Sequence, residues 1–306
     1  MTAPAYVAYT VLGGSLAILA ALLLGLRLAL ARAAWPPEER ASIWRKASLV
    51  LIVWFAAALT LSWLEFFRGG PDRIPTIEIG LLVPIIVGII ALWRSETVGR
   101  IVDAVPQSWL VGVQVYRTIG VIFVLLLASG KLPGVFALPA GLGDVLVGIS
   151  APLVALLCAR EAKRSALLVR AWNAFGLLDL VVAVGTGFMT SPSPLQLLAF
   201  DAPNQLISAF PLVMVPVFAV PVAILLHLTS LMKLQQTQAH GNTLRSVAAC
   251  AHWDDENGSF RMTNSPAQAA TAWAGGPPHL TSRRLNVRFA DVCVPKQPFS
   301  SRPILP

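Results

Sequence analysis

The sequence is poor in charged side chains and in side chains that bind metals. Asp, Glu, Lys and Arg make up 12% of its 306 residues, whereas about 25% is usual in a soluble domain. Its four histidines are scattered, and Cys158, Cys250 and Cys293 show no ligand spacing such as C-x-x-C. We therefore expect no metal site and no cofactor. The three thiols fall where we expect cytoplasm, so no structural disulfide is predicted either.

Several sequence signatures of known function are also missing. The chain has no G-x-S-x-G elbow and no Walker A motif, so a serine hydrolase or an ATP-driven machine lacks support. The last apolar segment has no lysine that could hold retinal as a Schiff base. The net charge of +8 is spread without a run of five like charges, which argues against nucleic-acid binding. These absences predict no catalytic residues, and the protein is not expected to be an enzyme.

Long apolar segments dominate what is present. Hydrophobic residues make up 56% of the chain and the mean hydropathy is +0.70. A helix needs roughly 20 apolar residues to cross a bilayer. Seven segments qualify: 5–26, 47–67, 76–93, 108–128, 138–159, 166–190 and 207–231. They predict an all-α, seven-helix transmembrane domain over residues 1–231, whose first partner is the lipid bilayer. Residues 232–306 have no sustained apolar period and are predicted to be a mostly disordered cytoplasmic tail.

The basic residues of the loops predict the orientation. Lys and Arg concentrate on the cytoplasmic side of membrane proteins. The odd-numbered loops hold ten of them: Arg27, Arg32, Arg40, Arg45, Lys46, Arg94, Arg100, Arg160, Lys163 and Arg164. The even-numbered loops hold three: Arg68, Arg73 and Lys131. We therefore expect the N-terminus outside and the C-terminus inside, in the cytoplasmic membrane of a bacterium.

A few polar residues lie deep within the predicted spans. Arg117 is about ten residues into the fourth span, with Gln114 one turn earlier on the same face. A charge at this depth costs about 2.5–3.5 kcal/mol on insertion scales, so it faces the protein interior. Its candidate partners are Asp144 and Asp179, with Glu65 and Glu78 at the outer ends of the second and third spans, and Asn173 lies in the inner half of the sixth span. Either Arg117 and one acid form a buried pair that fixes helix register, or a site for a solute or ion is formed by Arg117, Gln114, Asp144, Asp179 and Asn173.

Small residues share helix faces with the two aspartates. Gly141 and Gly148 lie on the face of Asp144, and Gly176 lies on the face of Asp179. Small residues allow membrane helices to approach closely, so both aspartates are expected to point at another helix. The segments Gly-Leu-Gly-Asp at 141–144 and Gly-Leu-Leu-Asp at 176–179 also form a short repeat across two antiparallel spans, as in transporters with inverted repeats.

The seventh span carries three prolines and one histidine. Pro211, Pro216 and Pro221 each remove a backbone donor, so the helix is expected to bend or to line a cavity. His227 lies one turn before the predicted end of the span at residue 231. We expect it to form hydrogen bonds at the cytoplasmic interface, far from Asp144.

Three segments carry a resemblance to a known group of proteins. They are Leu-Pro-Ala-Gly-Leu-Gly-Asp at 138–144, Trp-Asn-Ala-Phe-Gly-Leu-Leu-Asp-Leu at 172–180 and Val-Pro-Val-Ala-Ile-Leu-Leu-His-Leu at 220–228. Over about residues 138–231 the chain resembles uncharacterised bacterial multi-pass membrane proteins. The resemblance implies a membrane location and no assigned activity.

Two hypotheses of function follow, from different classes. The first is a transporter or channel for a small solute or ion, in which Arg117 holds an anionic group or a carboxylate and the two aspartates are counter-charges or proton carriers. The second is a non-catalytic accessory or sensory protein that presents its loops and tail to an unidentified protein partner. A third, an intramembrane lipid-modifying enzyme using Asp144, Asp179 and His227, suffers from the predicted distance between His227 and Asp144.

Overall fold

The computed structural model describes residues 4–73, 75–160, 162–254 and 259–262. The α-helices in these residues are α1 (Ala5–Arg32), α2 (Pro37–Trp63), α3 (Ile77–Arg94), α4 (Glu96–Ala104), α5 (Gln107–Gly112), α6 (Val121–Ala128), α7 (Gly134–Arg160), α8 (Ala162–Thr190) and α9 (Val220–Cys250). Two short antiparallel strands follow, β1 (Ala251–Asp254) and β2 (Ser259–Met262).

The prediction of seven membrane-spanning helices is confirmed by length and composition. Seven helical segments of the described chain are long and apolar enough to cross a membrane. Large apolar side chains point outward from them; Val87, Leu146 and Leu178 are 60%, 60% and 62% exposed. So much exposed apolar surface is unstable in water, and it fits a lipid environment.

The ends of the spans differ from the predicted ends. The seventh span begins at Val215, because turns and a bend and not helix occupy residues 207–213, where Pro211 lacks a donor for a helical hydrogen bond. Its helix α9 continues well past residue 231, to Cys250. The chain divides into two compact units after Gly241. The predicted disorder of the tail concerns residues that mostly lie outside the described part.

The fourth span (Gln107–Ala128) is a composite of three helical segments. Between α5 and α6, residues Val113–Gly120 form a 3₁₀-helix. A 3₁₀-helix has three residues per turn, so positions three apart share one face. The buried residues of this segment are Gln114, Arg117 and Gly120, which follow that spacing. The 3₁₀ geometry therefore turns all three toward the interior of the bundle.

Two hydrophobic cores lie on either side of the level of Arg117. The larger one contains aromatic side chains, among them Phe55, Phe123, Phe136 and Phe218. The smaller one is built from slimmer residues such as Val111, Val147 and Ala151, with Trp172 as its aromatic member. We name the half of the bundle with the larger core the cavity half, and the half with the smaller core the Gln107 half. The polar residues of the spans lie between and beside these cores.

Candidate functional site

Arg117 is the centre of a buried ionic cluster. It is 3% exposed, and its nitrogens are directed at three different helices. Nε donates to Oδ1 of Asp144 on α7 at 2.7 Å, and Nη2 donates to Oδ2 of Asp179 on α8. The side chains of these two aspartates are 13% and 7% exposed. The cluster therefore pairs one guanidinium with two carboxylates away from bulk water.

The remaining contacts of the guanidinium are with α8 and α9. Nη1 donates to the backbone oxygen of Gly176 at 3.3 Å and lies 3.1 Å from Nε2 of His227. A guanidinium has only donors, so Nε2 of His227 must be the acceptor. The imidazole is then neutral with its proton on Nδ1. Arg117, Asp144, Asp179 and His227 together are called the Arg117 cluster below.

The position of His227 corrects the sequence prediction. It was expected at the interface and far from Asp144, but it is fully buried and contacts the same guanidinium as Asp144. The error has a simple cause: the apolar window of the span extends to Gln236, so His227 lies more than two turns from its end. His227 and Asp144 are therefore not separated by the long distance that weakened the hypothesis of a lipid-modifying enzyme. Both ring nitrogens of His227 are engaged within the protein, however, which leaves neither available to a substrate.

A chain of hydrogen bonds leads from the cluster toward the start of the fourth span. Nδ1 of His227 donates to Oδ1 of Asn173 at 2.8 Å, and Nδ2 of Asn173 donates to Oγ of Ser230 at 2.9 Å. Nε2 of Gln107 donates to the same hydroxyl at 2.6 Å. These groups form a continuous polar connection, the polar chain, from mid-membrane to the first residue of α5.

Gln114 shares the face of Arg117 but makes its own contact. Its Nε2 donates to the backbone oxygen of Ala223 at 3.2 Å, while its Oε1 is buried without a hydrogen-bond partner in the described chain. Tyr116 donates to the backbone oxygen of Ala219 at 2.9 Å. The two side chains tie the 3₁₀ segment to the start of the seventh span.

Four glycines make room for the cluster. A Cβ on Gly120 would overlap Asp144, one on Gly143 would overlap Asp179, and one on Gly176 would overlap His227. A Cβ on Gly148 would overlap the backbone of Thr118, next to Arg117. The glycine face of α7 therefore packs on the fourth span, as close approach of membrane helices requires.

A cavity of about 310 Å³ adjoins the cluster in the cavity half. One wall is formed by α3 and the other by α7 and α8, and it reaches from the helix ends at Ile77 and Ser191 down to Asp144. Asp144 thus touches both Arg117 and the cavity. Glu78 of α3 also lines it, and Glu78 Oε2 is buried without a hydrogen-bond partner among the described residues.

Five site residues were predicted from the sequence, and the structure brings four of them into one connected network. Arg117, Asp144 and Asp179 are in direct contact, Asn173 joins through His227, and Gln114 stands apart. His227, Ser230 and Gln107 were not among those candidates. In the sequence, each of these three is a polar residue within or beside an apolar segment. That position alone does not predict which residues it contacts. The residues that the structure describes contain no group of three or more His, Cys, Asp or Glu suited to a metal ion.

Comparison with known proteins gives one family. Residues 74–235 match a domain of unknown function, DUF8737. The matched stretch contains the whole Arg117 cluster, the polar chain and the lining of the large cavity, and it extends the expected resemblance toward the N-terminus. No curated protein and no solved structure matches the chain. Because the match spans more than half of its length, this protein is a member of the family defined by DUF8737, whose function is unknown.

Proposed function

We propose that this chain is a transporter that couples the movement of a small solute to that of protons across a bacterial cytoplasmic membrane. The Arg117 cluster is its proton site, and the loops rich in Lys and Arg face the cytoplasm. The observation that carries this proposal is the double role of Asp144. One of its oxygens accepts from Arg117, while the residue also lines a cavity of about 310 Å³.

The charge count of the cluster supports a bound proton. One guanidinium and two carboxylates carry a net charge of −1, since His227 is neutral. A net charge in the low-dielectric interior is costly, and one proton on either aspartate removes it. The proton belongs to the pair, because both carboxylates contact the same cation. The cluster therefore has two states that differ by one proton.

Polar groups adjoin the cluster on both sides. Toward the cavity half, Asp144 and Glu78 line the same space. Toward the Gln107 half, His227, Asn173 and Ser230 connect the cluster to Gln107. The placement of Asp144 and Asp179 on successive antiparallel helices, both against Arg117, also fits the inverted repeats of transporters. Tyr116 and Gln114, the other polar groups beside the cluster, donate to backbone oxygens and carry no charge.

Proton flux through the full-length protein tests the proposal. Proteoliposomes containing a pH dye receive a potassium diffusion potential, with a mixture of small amines, alcohols and carboxylic acids on both sides so that a strictly coupled cycle can turn over. We expect wild-type protein to carry protons and Asp144→Asn to carry none. The amide keeps the shape of the side chain but cannot exchange a proton.

One control variant and one further loss-of-function variant make the result decisive. Glu39→Gln removes an acid from the exposed ion pair with Arg100 and should leave flux unchanged. Arg117→Gln should also abolish flux in protein that still inserts. Flux that is equal in wild type and Asp144→Asn, or absent from both, overturns the proposal in favour of an accessory or sensory protein.

A further inference from the structure

The large cavity combines an apolar wall with charge of one sign. Its lining includes Leu81, Phe123, Phe136 and Phe188. Among the described residues that line it, Glu78 and Asp144 are the ionisable ones, and both are acids. Arg117 does not line this cavity, and its nitrogens are directed at protein acceptors. The space therefore has a negative end group and an apolar body.

Glu78 has a carboxylate oxygen that lacks a hydrogen-bond partner among the described residues. Its Oε2 is buried without a hydrogen-bond partner in the described chain, and no ion pair is formed by this residue there. A buried carboxylate oxygen without a donor is costly, and a bound cation would satisfy it. In an apolar surrounding an ammonium group is the natural complement, because it supplies both the opposite charge and hydrogen-bond donors.

We propose that this cavity binds small organic cations with an apolar body, such as protonated amines that carry an aromatic ring or a short alkyl chain. The inference rests on the proposed function and names its substrate class. A volume of about 310 Å³ corresponds to roughly ten water-sized units, at about 30 Å³ each. The ammonium group lies beside Glu78, at the end of the cavity near Ile77, and the ring packs against the phenylalanines.

The charge of the cavity lining also explains why other ligands fit less well. An organic anion or the phosphate of a phospholipid would lie against the carboxylate of Glu78 and be repelled by it. A neutral alcohol of the same shape gains the apolar contact but leaves the carboxylate of Glu78 uncompensated.

Binding of three molecules of one shape tests the proposal directly. The probes are 2-phenylethylammonium, 2-phenylethanol and phenylacetate, titrated calorimetrically into the full-length protein in detergent at neutral pH. We expect the ammonium to bind at least tenfold more tightly than the alcohol and the carboxylate not to bind. Equal affinity for the ammonium and the alcohol, preference for the carboxylate, or no binding of the ammonium overturns the inference.

Matched variants locate the bound molecule. Glu78→Gln should weaken binding of the ammonium at least tenfold and leave the alcohol unchanged. Glu65→Gln is the control, because Glu65 is an exposed acid paired with Arg68 outside the cavity lining. Ala183→Leu places a larger side chain in the cavity and should weaken binding of both. Ammonium binding that survives both Glu78→Gln and Ala183→Leu places the site elsewhere and overturns the assignment.

The outcome is separate from that of the proposed function, because binding requires no transport. Ammonium binding without proton flux contradicts the transporter and leaves the site standing. Proton flux that carboxylic acids support, without ammonium binding, contradicts the substrate class and leaves the transporter standing.

Discussion

The two halves of the bundle share α7, α8 and α9 but differ in how they are filled. In the cavity half, aromatic side chains such as Phe123 and Phe136 pack edge to face at 5.3 Å and leave a space of about 310 Å³ beside them. In the Gln107 half, Asn173, Ser230 and Gln107 close the gap between helices with hydrogen bonds. Large rigid rings leave voids where their shapes do not match, whereas small apolar residues and short polar groups allow helices to touch.

The difference suits a protein with access from one side at a time. Under the proposed function, the structure is the state in which the cavity half receives the solute and the Gln107 half is closed. The Arg117 cluster lies at the boundary, with Asp144 in contact with the cavity and His227 in contact with the polar chain. Variants at the boundary and in each half should therefore differ in effect.

The largest expected effect is at the boundary. Arg117→Gln removes the shared partner of Asp144 and Asp179 and should lower the free energy of unfolding by about 3–5 kcal/mol, because breaking a buried ion pair leaves an uncompensated charge. Reversible unfolding in a mixed detergent measures it. The control is Arg100→Gln, which breaks an exposed pair with Glu39 and should cost less than about 1 kcal/mol. Equal effects of the two variants would mean that the boundary carries no special charge interaction.

A smaller effect is expected from crowding the boundary. Gly143→Ala places a methyl group where Asp179 lies and should cost about 1–3 kcal/mol, as overpacking does. In α1, a methyl group on Gly25 would meet nothing within 4 Å, so Gly25→Ala should be neutral or stabilising by up to about 1 kcal/mol. The same unfolding assay compares the two. A neutral Gly143→Ala would show that Asp179 can move away without loss.

The smallest effect is expected in the Gln107 half. Ser230→Ala removes the hydroxyl that accepts from Asn173 and Gln107, and should cost about 1 kcal/mol in the same unfolding measurement. Thr186→Ala is the matched control, since its hydroxyl donates to carbonyls of its own helix, and its effect should be smaller still. If Thr186→Ala costs as much as Ser230→Ala, the polar chain does not hold this half closed.

Much of the fold was predictable, because apolar length alone determines which segments can cross a bilayer. The depth of Arg117 was predictable for the same reason, and so was its need for a carboxylate. That both Asp144 and Asp179 would meet it was not, since sequence gives the face of a helix but not its neighbour. The depth of His227 was predicted wrongly because the span was predicted to end at residue 231, whereas it continues to Gln236.

The cavity and the 3₁₀ segment could not be predicted from the sequence, for physical reasons. A cavity arises from the mismatch of many side chains, so no single residue such as Glu78 announces it. The spacing of Gln114 and Arg117 is compatible with α-helical geometry, in which residues three apart are also neighbours. Only the burial of Gly120, three residues after Arg117, distinguishes a 3₁₀-helix from an α-helix here.

The 3₁₀-helix at Val113–Gly120 has a mechanical consequence. A 3₁₀-helix rises about 2.0 Å and turns about 120° per residue, whereas an α-helix rises about 1.5 Å and turns about 100°. Rewinding these eight residues as α-helix would shorten the span by about 4 Å and rotate one end against the other by about 160°. The same screw movement would swing the guanidinium away from its carboxylates, so the pitch of one short stretch is sufficient to separate the charges that the rest of the bundle holds together.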